Sequence, residues 1–108
     1  MSIDSVKRQI EGYKRDIDRE KSRITDYRGD IAKIRIRKSR DADHYSRRLK
    51  SASSTAIKHS IRAQKKRDWE RYSREIERER DKIARSREKI KDIREKIKRC
   101  RERIKRLR

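Results

Sequence analysis

Isoleucine returns every seventh residue at both ends of this chain. Ile3, Ile10, Ile17, Ile24 and Ile31 form one run, and Trp69, Ile76, Ile83, Ile90, Ile97 and Ile104 form a second. Seven-residue spacing fits helices underwound to 3.5 residues per turn, which keeps one apolar stripe facing a partner. With these residues at position a, the d positions are Val6, Tyr13, Glu20, Tyr27 and Ile34 in the first run. In the second they are Tyr72, Glu79, Ser86, Ile93, Cys100 and Leu107.

Composition decides what such stripes can build. Only 29% of the 108 residues are hydrophobic and 54% are charged, with two Gly and no Pro. That is too little apolar side chain for an ordinary globular core or an enclosed catalytic pocket. High charge with low hydropathy is also the composition of disorder. Here the sustained period and the absence of helix breakers argue for long helices instead. Formal net charge is +20, which attracts anionic partners and which also suits solvated outer helix faces. Residues 1–20 alternate charged and single apolar residues, unlike a secretory leader, and no apolar run reaches spanning length. The expectation is a cytoplasmic protein with no membrane span, folded as a single coiled-coil domain over residues 1–108.

Ser2 is placed to cap a first helix, with Asp4 in its first turn. That helix reads from about residue 3 to 50. Lys38 and Asp41 interrupt the stripe, and apolar residues restart at Ala42, Tyr45, Leu49 and Ala52, which reads as a stutter in the first helix. The cluster Ser51-Ala52-Ser53-Ser54-Thr55 is the best turn, since its hydroxyls satisfy backbone groups locally. The second helix then reads from about 56 to 108. One unbroken rod is the rival, and register separates the two. A fold at Thr55 sets Ile3 opposite Leu107, Ile10 opposite Cys100, Tyr13 opposite Ile97, Tyr27 opposite Ile83 and Ile34 opposite Ile76. The fold class expected is therefore all-α, a long antiparallel helical hairpin. Glu20 against Ile90 and Glu79 against Ile31 are awkward layers, because a buried unpaired carboxylate is costly. Either these glutamates reach solvent or an Arg reaches them.

A seam this thin suggests that hairpins associate with one another. The self-association seam expected comprises Ile3, Ile10, Ile17, Ile24, Ile31, Ile34, Trp69, Ile76, Ile83, Ile90, Ile93, Ile97, Ile104 and Leu107, with Tyr13, Tyr27, Trp69 and Tyr72 at junctions between hairpins. A basic patch is also expected. Arg35, Arg37, Lys38, Arg40, Arg47 and Arg48 would face Arg62, Lys65, Lys66 and Arg67 near the turn, where they could hold phosphate without reading sequence. Other chemistry is sparse. His44 and His59 have no ligand partners at metal spacing, Cys100 sits in the seam, and no nucleophile elbow or Gly-rich phosphate loop occurs. No enzyme, metal or cofactor is expected.

Three stretches resemble one family: the opening Met1-Ser2-Ile3-Asp4-Ser5-Val6-Lys7-Arg8-Gln9-Ile10, the hinge Lys50-Ser51-Ala52-Ser53-Ser54-Thr55-Ala56-Ile57-Lys58, and the repeat from Arg74-Glu75-Ile76 to Lys89-Ile90. They look like the N-terminal coiled-coil segment that precedes TIR domains in bacterial antiphage and NAD-cleaving proteins. That segment joins two long helices through a Ser/Thr-rich hinge, and the resemblance implies assembly rather than catalysis. No TIR domain lies within these residues, so no catalytic residue carries over, and the chain is more Arg-rich than the family leads one to expect. The reading is a non-enzymatic scaffold, oligomerisation or adaptor protein, a homo-oligomer or the partner of an effector subunit. The alternative is a nucleic-acid-binding basic coiled coil. Helical-hairpin partners of type VII secretion substrates share the size and form, but their Trp-Xaa-Gly turn is missing, so they come third.

Overall fold

The computed structural model describes residues Ser2–Arg108. Among them the fold is all-α, a helical hairpin of two long helices, α1 (Ile3–Ser51) and α2 (Thr55–Leu107), with no strand. The turn expected near Ser51–Thr55 is the three-residue break between them.

Local chemistry explains these limits. The Ser5 N–H donates to Ser2 Oγ at 3.2 Å, capping α1. At its far end the Ser51 hydroxyl donates back to the Arg47 carbonyl at 2.7 Å. Ser54 then caps α2, since its Oγ accepts the Ile57 N–H at 3.2 Å and its carbonyl accepts the Lys58 N–H at 3.1 Å. The hydroxyl cluster thus closes one helix and opens the next within a few residues.

The chain divides into two compact units, Met1–Tyr27 with Asp81–Arg108, and Arg28–Arg80. In the first, Val6, Ile10, Ile17 and Ile24 are buried on α1, and Ile83, Ile90, Ile97, Cys100 and Ile104 on α2. Cross-helix contacts follow the layers read from the sequence. The Cys100 thiol lies 3.9 Å from Gln9 Oε1, Lys96 lies over the Tyr13 ring and Lys82 over the Tyr27 ring. Small Ser86 is buried there too. Glu20 is 7% exposed, and its awkward layer is resolved from its own helix: Arg23 Nη1 donates to Glu20 Oε1 at 2.6 Å. Its other oxygen, Oε2, has no hydrogen-bond partner.

In the second unit the stripe on α1 runs through Ile31, Ile34, Lys38, Asp41, Tyr45 and Arg48, all buried or half-buried in alternating steps of three and four, and half-buried Ala52 in the break keeps the step. The stutter expected in α1 is absent, because Lys38 and Asp41 occupy their seam positions rather than skip them. The irregular step lies on α2. Ile61, Lys65, Asp68 and Tyr72 line its inner face, whereas Arg62, the position a residue of the simple repeat, is exposed. Ile61 is 5% exposed. An apolar residue one place out of phase rotates the helix locally, and this brings Asp68 inward beside Trp69.

Candidate functional site: a reciprocal Asp–Tyr clasp under a basic surface

The second unit repeats one short motif on both helices, Asp four residues before Tyr: Asp41 with Tyr45, and Asp68 with Tyr72. Residues four apart share a helix face, so each pair points the same way. The pairs interlock. The Tyr45 hydroxyl donates to Asp68 Oδ2, and the Tyr72 hydroxyl donates to Asp41 Oδ2. Both tyrosines are buried, at 3% and 4% exposed. Sliding one helix past the other would break both bonds at once, so the clasp holds one register. Further contacts keep the same order. Arg48 Nη1 donates to Gln64 Oε1 at 3.0 Å on one side of the clasp, and Arg37 lies 3.8 Å from Glu75 on the other.

Trp69 fills the space between the clasp bonds. It meets Tyr45 and Tyr72 edge-on, with ring centroids 6.0 and 6.1 Å away. Lys38 Nζ and Lys65 Nζ lie over its ring, 5.5 and 5.3 Å from the centroid. Arg48 covers Tyr45, and Arg71 covers Tyr72. Edge-on aromatic pairs and ring-stacked cations each add roughly a kcal/mol beyond apolar burial. The phenols respond to this setting. Burial and the bond to Asp68 push the Tyr45 hydroxyl up from 10.0 to about 12. The bond to Asp41, with burial second, raises Tyr72 as well. A carboxylate acceptor beside a buried phenol opposes a second negative charge. The Arg71 guanidinium is held further into its charged form, first by Tyr72 and then by Asp68 and Glu75.

The structure sorts the residues singled out in the sequence. Of the seam set, Ile10, Ile17, Ile24, Ile31, Ile34, Ile83, Ile90, Ile97 and Ile104 are buried. Ile3, Trp69, Ile76 and Ile93 are half-buried, and Leu107 is exposed. The buried isoleucines are covered within a single chain, so in this state they are not free to bind a second copy. Tyr72 is likewise enclosed by its own chain, not at a junction between hairpins. Of the basic set, Lys38, Arg48 and Lys65 pack on the aromatic cluster and Arg37 is paired to Glu75, while Arg35, Arg40, Arg47, Arg62, Lys66 and Arg67 are exposed. Sequence reasoning missed the clasp, although the repeated Asp-Xaa-Xaa-Xaa-Tyr was legible. His44 and His59 are exposed. No cluster of three or more His, Cys, Asp or Glu able to hold a metal occurs among the described residues. None of their helices is long and apolar enough to cross a membrane. Comparison with protein-family models, curated proteins and solved structures gives no match.

Proposed function

We propose that this chain is a non-enzymatic coiled-coil scaffold or adaptor, an antiparallel hairpin whose task is to present a stiff surface of fixed register to other chains. The clasp carries this reading. Two polar bonds that form in only one register, set around a buried aromatic cluster, specify alignment, which is the best-attested use of polar groups in a helical seam. The opposite order of contacts along α1 and α2 supports the antiparallel pairing. The likeness of the opening residues and the hinge to the coiled-coil segment of bacterial TIR-domain proteins points to the same role, in a cytoplasmic defence assembly. With the isoleucine stripes already covered, partners meet the outer faces, where Ile36, Ile57 and Leu107 are the exposed large apolar residues among those described.

Light scattering on a sizing column, after nuclease and a salt wash, tests the proposal. A defined oligomer that survives both treatments is the expected result. A monomer at every concentration would refute self-assembly as the function.

A further inference from the structure

We propose that the outer face of the Arg28–Arg80 unit binds the phosphate backbone of duplex nucleic acid without reading its sequence. The unit sorts its charges by depth. Asp41, Asp68, Glu75 and Glu79 are half-buried, which leaves Asp30, Asp43, Glu70 and Glu77 as its four exposed acids. Of its 18 Lys and Arg, only Lys38, Arg48 and Lys65 turn inward, so 15 stay exposed. The exposed charges alone therefore balance at +11, that is 15 less 4. Folding has drawn half of the unit's acids but only three of its 18 cations into the seam, so the outer surface is cationic almost throughout.

The cations are also arrayed. Lys58, Arg62 and Lys66 follow one another at four-residue steps along α2, and Arg67, Arg71 and Arg74 make a second row at steps of four and three, about 100° round the helix from the first. Four residues rise about 6 Å along a helix. Phosphates on one strand of a duplex lie about 3.4 Å apart along its axis, so such a row reaches alternate phosphates. Arg71 is held by Asp68 at 3.7 Å and Glu75 at 3.9 Å. Lys58, Arg62, Lys66, Arg67 and Arg74 have no carboxylate within ion-pair distance.

Two observations choose the duplex among anionic partners. Single strands are gripped by stacking bases on exposed aromatic rings. Here Tyr45 and Tyr72 are buried, and Trp69 is capped by two lysines. An anionic membrane surface asks for an apolar helix face to insert. This unit exposes only Ile36 and Ile57 among large apolar residues, one on each helix.

The experiment is fluorescence anisotropy of a labelled DNA duplex, and of one of its strands alone, titrated with the full chain across a salt series. Five phosphate contacts give a log–log salt slope of about −4.5, roughly a 500-fold loss of affinity between about 50 and 200 mM salt. The variant K58Q/R62Q/K66Q/R67Q/R74Q should flatten the slope by about 4.5 and weaken binding about 100-fold at intermediate salt. The control K21Q/R87Q/K91Q/R94Q/K98Q removes the same charge from exposed positions of the other unit and should weaken binding less than about 5-fold. Equal losses in the two variants would overturn the proposal, as would tighter binding to the single strand, binding to anionic vesicles but not to DNA, or no binding at low salt. The salt slope and the duplex preference are read on the unaltered chain, so the failure of either overturns the proposal even if a variant loses its helical signal.

Discussion

Replacing Tyr45 by Phe removes one hydroxyl from the clasp and leaves the ring that packs on Trp69. The hydrogen bond sets its cost. A hydrogen bond to a charged acceptor contributes about 1.5–3 kcal/mol when the partner would otherwise be stranded. The Tyr45 phenol is raised from 10.0 to about 12 in the folded chain. Burial, the first cause of that rise, penalises the phenolate and not the neutral hydroxyl, so the rise sets the pH window and the hydrogen bond alone sets the cost. Asp68 keeps Arg71 at 3.7 Å after the change, which softens the loss, so about 2 kcal/mol is expected at neutral pH. The pH dependence has a definite sign. A folded value above the unfolded one means that the stabilisation is complete below pH 10.0 and disappears as pH rises through about 12. Chemical denaturation followed by far-UV circular dichroism, repeated from neutral to strongly alkaline pH, should show the gap between wild type and Y45F closing over that window. Every other charged group is common to both proteins and cancels in the difference. A gap below about 0.5 kcal/mol at neutral pH, or one that stays constant into alkali, would refute the clasp as a stabilising element.

Three further outcomes test the seam and the helices by the same denaturation measurement. Glu20→Leu should raise stability by about 1–3 kcal/mol, because it replaces a buried carboxylate with one unpartnered oxygen by a side chain the layer can pack; a loss would mean that Arg23 repays the burial. Gly29→Ala should add about 1 kcal/mol, since a Cβ there meets nothing within 4 Å and Gly is the poorer helix former. Ile83→Asp should cost about 3 kcal/mol or more by placing a charge against the apolar stripe, whereas Arg87→Ala, on the exposed face, should stay within about 0.5 kcal/mol.

Much of this architecture is written in single-helix terms and so could be read from the chain alone. A stripe of Ile at seven-residue spacing needs only the helical period to declare its buried face. The hydroxyl cluster at residues 51–55 needs only local capping chemistry to declare a turn. Ile10, Ile17, Ile24, Ile90 and Ile97 are buried for these reasons. What the sequence could not supply was the identity of the group across the seam. Lys38 and Asp41 look like a gap when seen on α1 alone. They become seam residues only because Trp69 offers a ring to the lysine and Tyr72 offers a hydroxyl to the aspartate. The phase slip that turns Ile61 and Asp68 inward is invisible to a fixed seven-residue count, since either neighbour could take the inner face until packing selects one. The seam likewise could have joined two chains as well as two helices of one chain. Periodicity says that a face must be covered, and only the tertiary structure decides what covers it, because apolar burial is non-directional whereas the clasp bonds demand particular partners at particular distances.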